Sequence, residues 1–201
     1  MNHRVGYLIE AGFKSIGRGV IISPLALIRS PEAIEIGDDV RIDEYCIIEG
    51  GAGLRIGSHV HIASRTTIYS GAGVELGDFS TLSSNVLLMS ESDDYSGGSL
   101  IGPQFKRRLY KPGYISPGLL VIGKFSSIGA RSTIMPGVQI AEGVAVGAHS
   151  LVFKSIIESW TIHAGVPARY LKPRSRDMIE ISEQFLDWYR NGDRNAQAPW
   201  S

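Results

Sequence analysis

The residues most able to do chemistry fall in one short stretch, Glu91-Ser92-Asp93-Asp94-Tyr95. Its carboxylates could take a proton or hold sugar hydroxyls. A free Asp titrates near 3.9 and is a weak base, but crowding in a partly buried groove raises one carboxyl of a cluster. Asp93 and Asp94 are therefore candidate bases, with Glu91 and Tyr95 as substrate contacts. Asp and Ser-Gly also form turns, so "SDDYSGG" can equally be a loop without chemistry. Further on, "GPQFKRRLYKPGYISPG" offers Phe105, Tyr110 and Tyr114 for stacking on a sugar ring. Lys106, Arg107, Arg108 and Lys111 suit a diphosphate, although a solvated basic face would read the same way. No histidine lies between His61 and His149. His61, in "SHVHIAS", is a third candidate for proton transfer, because an unperturbed imidazole titrates near 6.5. His149 is another, and a lone surface histidine explains either equally well.

These residues interrupt a repeat. Ile16-Gly17, Ile36-Gly37, Ile56-Gly57 and Leu76-Gly77 recur at intervals of 20. Within each unit the aliphatics fall six apart: Ile36, Ile42, Ile48, then Ile56, Ile62, Ile68, then Leu76, Leu82, Leu88. Three hexads make 18, and the extra pair sits in "SPEAIE", "GGAGLR" and "SGAGVE". After a gap the series resumes without that pair, at Ile122, Ile128, Ile134, Ile140, Val146 and Val152. A period of six fits neither an amphipathic helix nor an alternating strand. It fits a chain that turns a corner every hexad, with one aliphatic pointing inward from each short strand. Three hexads close a triangular coil, and stacked coils give a parallel β-helix. A β-sandwich would not hold one six-residue register from Ile16 to Val152.

The single domain then divides into an N-terminal cap (1–14), coils (15–88), an inserted loop (89–121), further coils (122–173) and a C-terminal helix with tail (174–201). Val5, Leu8 and Ile9 can share one face of a capping helix. In "SRDMIEISEQFLDWYRNG", Met178, Ile181, Phe185 and Trp188 recur at helical spacing. Ser175 or Asp177 can cap that helix, and Asn191-Gly192 stops it. Long loops on rigid scaffolds often carry function.

The 201 residues are 43% hydrophobic with no net charge. That balance argues against a nucleic-acid binder, which needs surplus Lys and Arg. The single Cys46 excludes an internal disulfide and a zinc-type cysteine cluster, and a reducing compartment is the simplest setting. No apolar run approaches the roughly 18–20 residues that span a bilayer. The N-terminus lacks the apolar core of a secretion signal. The expectation is a cytoplasmic protein without membrane insertion.

The later repeats carry Ile122-Gly123, Ile128-Gly129-Ala130, Pro136-Gly137-Val138, Val146-Gly147-Ala148-His149-Ser150 and Ala164-Gly165-Val166-Pro167-Ala168, followed by Lys172 and Arg174. This ordered set resembles the hexapeptide-repeat acyltransferases over residues 16–174, and is most similar to sugar O-acetyltransferases of surface-polysaccharide biosynthesis, such as O-antigen enzymes. The resemblance implies an all-β, left-handed parallel β-helix broken by a long loop and followed by a C-terminal α-helix. It implies a homotrimer with acetyl-CoA in the groove between subunits, and acetyl transfer to a hydroxyl or amine of a sugar or nucleotide sugar. Gly129, Ala130, Gly147 and Ala148 would line the pantetheine, unless they serve only as tight corners. Arg169, Lys172 and Arg174 would meet the CoA phosphates, unless they form a solvated tail. No metal is expected. Many members place a catalytic histidine near the start of the inserted loop, where this chain has Ser92-Asp93-Asp94-Tyr95. If the acceptor is a neutral amine, it is already a nucleophile, and the base need only collect a proton afterwards.

Two other functions share parts of this pattern. A carbonic-anhydrase-like β-helix needs three histidine ligands, and His59 and His61 supply two at most. A non-catalytic scaffold shares the hexads but requires neither the long loop nor the "AGVPARYLKPR" ending.

Overall fold

The computed structural model describes residues 12–93 and 118–191. Each coil contributes three strands of two or three residues. The first four coils are β1 (Ser15–Ile16), β2 (Ile21–Ile22), β3 (Leu27–Arg29); β4 (Ile34–Ile36), β5 (Arg41–Ile42), β6 (Ile47–Glu49); β7 (Leu54–Ile56), β8 (His61–Ile62), β9 (Thr67–Tyr69); and β10 (Val74–Leu76), β11 (Thr81–Leu82), β12 (Leu87–Met89). The last two are β13 (Leu120–Ile122), β14 (Ser127–Ile128), β15 (Thr133–Ile134) and β16 (Gln139–Ile140), β17 (Ala145–Val146), β18 (Leu151–Val152). Like strands stack in parallel into three sheets: A (β1-β4-β7-β10-β13-β16), B (β2-β5-β8-β11-β14-β17) and C (β3-β6-β9-β12-β15-β18).

The hexad rule is met residue by residue. Ile36, Ile42, Ile48, Ile56, Ile62, Ile68, Leu76, Leu82, Leu88, Ile122, Ile128, Ile134, Ile140, Val146 and Val152 are all buried in one column. A two-residue strand has one side chain facing in and one facing out, so an aliphatic inward residue is needed on every side of every coil. The extra pair widens the corner between sheets C and A. It forms a 3-10 turn, Pro31–Ala33, in one coil. In the next two it forms loops closed by Gly53 N–H to Gly50 O and Gly73 N–H to Ser70 O. The strand that follows keeps the usual buried residue two before each anchor, Ile34, Leu54 and Val74, as the coils without the pair do at Leu120 and Val138.

The other two corners hold a residue in the left-handed region. At the corner leading into sheet B these are Asp39, His59, Phe79 and Phe125, with φ of 52–58°. Between sheets B and C they are Tyr45, Arg65, Asn85, Arg131 and His149, with φ of 56–62°. Such conformations cost non-glycine residues energy. Each is offset by a backbone bond to the coil before it, such as Phe79 N–H to Ser58 O at 2.9 Å and Arg131 N–H to Ser84 O at 3.0 Å.

The coil departs from the expected boundaries in two places. Strands run to Met89 and resume at Leu120, so the insertion is slightly shorter than 89–121. More substantially, residues 161–173 form no further coil. β19 (Thr161–Gly165) joins sheet B, and β20 (Ala168–Pro173) pairs with it antiparallel. Gly165 at φ 104° and Pro167 turn the chain back on itself. The hairpin thereby covers the edge that sheet B would otherwise leave open.

The expected C-terminal helix is present as α1 (Asp177–Asn191), with Ser175 Oγ accepting from the Asp177 N–H at 3.1 Å. It lies along the side of the coil over the corner leading into sheet B, not across its end. Phe185 meets His59 and Phe79 edge-on at 5.2 and 6.1 Å. Of the expected N-terminal cap (1–14), residues 1–11 lie outside the described residues, as does the tail after Asn191.

Candidate active site

Among the described residues, sheet B and the corner that follows it hold His61, Gly129, Ala130, Gly147 and Ala148, with Arg169 and Lys172 on the hairpin strand that ends the sheet. Gly129-Ala130 and Gly147-Ala148 follow β14 and β17 at equivalent positions. A Cβ on Gly129 would collide with the backbone of Gly147 and Ala148, and one on Gly147 would come within 2.8 Å of the Ala164 Cβ. Close stacking therefore requires these glycines, whatever else they do. Ala148 is exposed beside them. The result is a narrow track of small side chains and backbone running along the corner. Toward the N-terminus it continues through Ser84 and Ser64, whose hydroxyls lie 3.4 Å apart.

His61 projects from the outer face of β8. Its Nε2 lies 2.8 Å from Asp43 Oδ2, and Arg41 Nε donates to Asp43 Oδ1 at 2.6 Å. Burial pushes the Asp43 carboxyl up, but the hydrogen bonds from Arg41 and His61 outweigh it and hold the carboxyl below its ordinary range. With Nε2 donating to a carboxylate, Nδ1 is left as the imidazole's acceptor. Sequence reading picked out His61 without Asp43. The signal was available: at a 20-residue offset, Asp43 occupies the place of Ala63, diagonally next to His61.

Across the corner from this cluster, Tyr45, Arg65, Asn85 and Arg131 form a ladder. The Arg65 guanidinium sits 5.3 Å from the Tyr45 ring centroid. Tyr45 is 54% exposed. Tyr45, Arg65 and Ser84 do not stand out in the sequence, because the hexads mark inward residues and leave outward ones unsorted.

The acidic stretch lies elsewhere. After β12 the chain reaches the corner between sheets C and A, where half-buried Glu91 packs against Gly71 and Asp93 is exposed. Gly118 N–H then donates to Ser90 O at 3.1 Å, bringing the chain back to its point of departure. Within one chain, Asp93 and His61 thus stand on different sides of the prism. Asp94, Tyr95, Phe105, Lys106, Arg107 and Tyr110 lie outside the described residues. Of the expected phosphate contacts, Arg169 and Lys172 are exposed on β20. Arg174 turns inward: its Nη1 donates to Phe125 O at 2.7 Å and to Gly143 O at 3.0 Å, and burial pulls the guanidinium below its ordinary value. Its observed task is to fasten the chain to the coil ahead of α1. Among the described residues, no group of three or more His, Cys, Asp or Glu could hold a metal ion, and no helix is long and apolar enough to cross a membrane.

A triangular coil of hexads, interrupted once by a long insertion and bordered by a small-residue track, defines a class of enzymes. The chain belongs to the hexapeptide-repeat acyltransferases, and its β-helix is left-handed. A dTDP-4-amino-4,6-dideoxy-D-glucose acyltransferase of Escherichia coli is 35% identical over 179 residues, which is 89% of this chain and 91% of that protein. AntD, an N-acyltransferase from Bacillus cereus, has been solved with dTDP and 3-hydroxybutyryl-CoA. It is 39% identical with a TM-score of 0.86, over 93% of this chain and 97% of that one. A serine variant of AntD, solved with dTDP-4-amino-4,6-dideoxyglucose and coenzyme A, is 40% identical with a TM-score of 0.85, over 91% and 95% of the two chains. No family model matches the sequence. The protein is an acyltransferase.

Proposed function

We propose that the protein transfers a short acyl group from a CoA thioester to the amine of a dTDP-linked amino sugar. The observation that carries this reading is the likeness, over nearly the whole of both chains, to enzymes named for that acceptor. The chain's own residues agree with it. An amine needs no strong base to become a nucleophile, and the segment after β12 offers carboxylates where many members of the family have a histidine.

In this reading the pantetheine arm of acetyl-CoA lies along Gly147-Ala148 and Gly129-Ala130, with Arg169 and Lys172 near its phosphates. The site is completed between subunits of a homotrimer in the cytoplasm, which brings the acidic corner of one chain toward sheet B of the next. Glu91 and Tyr95 contact the sugar, with Phe105, Lys106, Arg107 and Tyr110 from the insertion. The amine attacks the thioester carbonyl, a C–N bond forms, and the C–S bond breaks. The amine's proton passes to Asp93, Asp94 or His61, which returns it to the departing sulfur, so that CoA leaves as a thiol. Backbone N–H groups of the later coils face the oxyanion. AntD has been solved with changes at one serine and at one aspartate, residue types this chain offers at Ser84 and in the acidic stretch.

Thiol release tests the reading, with acetyl-CoA and 3-hydroxybutyryl-CoA as donors. dTDP-4-amino-4,6-dideoxyglucose is expected to turn over about 100-fold faster than its 4-hydroxy counterpart. Release with no amino sugar, or faster release with the hydroxyl, overturns it. Asp93→Asn, Asp94→Asn and His61→Gln, made singly, identify the proton acceptor as the variant that loses about 100-fold in kcat.

A further inference from the structure

We infer that the corner between sheets B and C continues past the reaction centre as a binding site for the nucleoside diphosphate of the acceptor, with Arg65 on the diphosphate and Tyr45 under the base. This rests on the acyl-transfer reading above and assigns residues outside the insertion.

The argument begins with the change in composition along one corner. The residues beside the left-handed position run Ala148, Ala130, Ser84, Ser64 and Glu44 from the C-terminal coils toward the N-terminus. The left-handed residues themselves run His149, Arg131, Asn85, Arg65 and Tyr45. The backbone is the same at every step, so the side chains alone distinguish one end from the other. Beside Arg131 and His149 the C-terminal end has only Ala130 and Ala148, which leave a thin, extended donor room to lie. The N-terminal end presents a flat phenol with a guanidinium above it. A large aromatic side chain that is more than half exposed is available to stack on another ring. A guanidinium presents a planar set of donors suited to phosphate oxygens. The Arg65 guanidinium lies 5.3 Å from the Tyr45 ring centroid, so the two side chains form one continuous surface.

The spacing agrees. Neighbouring coils are about 4.8 Å apart, so Tyr45 lies about 10 Å from Ser84 along the axis, with Arg65 midway. A sugar, a diphosphate and a base occupy the same sequence of steps when a nucleotide sugar is extended. Its reacting amine would then be at the coil of Ser84, next to Ala130 on the donor track. Glu44, between Tyr45 and the sheet, would repel a second phosphate but accept a hydrogen bond from a deoxyribose hydroxyl. Both recognition side chains are outward-facing corner residues, so replacing them leaves the buried column intact.

The test uses dTDP itself, which requires no turnover. Calorimetry on the full-length protein is expected to show dTDP binding that weakens about tenfold in Arg65→Ala and severalfold in Tyr45→Ala. In steady state, Arg65→Ala should raise KM for the dTDP-amino sugar about tenfold while KM for acyl-CoA stays within about twofold. Arg65→Lys should recover part of the loss, because charge returns without the planar fork. Equal dTDP affinity in wild type and both variants overturns the proposal. So does a larger effect on acyl-CoA than on dTDP, which would move these residues to the donor site. Acyl transfer to a free amino sugar with no dTDP binding would overturn the subsite and leave the acyl-transfer chemistry standing. Binding of dTDP to Arg65 without turnover of any amine would do the reverse.

Discussion

Two corners of this prism share one backbone and differ in everything attached to it. At both, successive coils place a non-glycine residue at φ near 50–60°. On the corner leading into sheet B, those after Asp39 are aromatic and pack in a row. His59 lies 4.7 Å from Phe79, Phe79 5.3 Å from Phe125, and Phe125 5.9 Å from Trp160. Helix α1 closes over them. On the corner leaving sheet B the residues are Tyr45, Arg65, Asn85, Arg131 and His149, and nothing in the described chain covers them comparably. The repeat therefore decides where an outward side chain stands, and the side chain decides whether its corner becomes interior or surface. One corner is closed by the chain's own helix, and the other is left open.

That contrast makes graded predictions. The largest effect belongs to the closed corner: Phe79→Ala should cost about 3 kcal/mol and lower Tm by several degrees in thermal unfolding. It should also make α1 more sensitive to limited proteolysis. A change in Tm of less than about one degree would mean the aromatic stack is not what holds the helix. Next comes Gly143→Ala, on the same corner. Its φ is 70°, and a Cβ there would run into the Trp160 ring, so a loss of about 2 kcal/mol is expected. A smaller effect should appear beside the open corner as acid sensitivity. The Asp43 carboxyl is held below its ordinary range, so its contribution is present above the unfolded value near 3.9 and is lost as pH falls through the lower folded value. Asp43→Asn should flatten the fall in stability below about pH 4. An unchanged acid limb would show that the contact with Arg41 and His61 is too solvated to matter. Smallest of all, Arg65→Ala on the open corner should alter stability by less than about 0.5 kcal/mol. A cost near that of Phe79→Ala would erase the distinction between the corners.

The interior was legible because it is forced. A strand of two residues has only one inward position, and every coil must fill it, so counting aliphatics from Ile36 to Val152 located the core. The chain's turn after Gly165 was misread as further coil, since the aliphatics of "HAGVPARYL" resemble another hexad and only Pro167 and the sheet edge decide otherwise. The site was partly legible. Gly129, Gly147 and His61 stood out by residue type. Asp43 and the Tyr45–Arg65 pair did not, because their partners lie a full coil away and no spacing rule for outward residues points to them. Arg174 shows the converse: a basic residue in a basic ending, spent on the carbonyls of Phe125 and Gly143.

The hydrogen bond from Gly118 to Ser90 has a consequence for how such a protein can diverge. The stack below it ends at Met89, and the stack above it resumes at Leu120 in the same register, with Val74 opposite Leu120 and Leu87 opposite Thr133. The stretch between is hung on a closed gate. For any chain segment whose two ends are already held together, each doubling of length costs only about 0.6 kcal/mol of closure entropy. Residues 94–117 can be lengthened, shortened or exchanged for those of a relative while the stack keeps its register. The stack and the inserted stretch are then separately heritable, and a graft at Ser90 and Gly118 is the natural seam for moving one without the other.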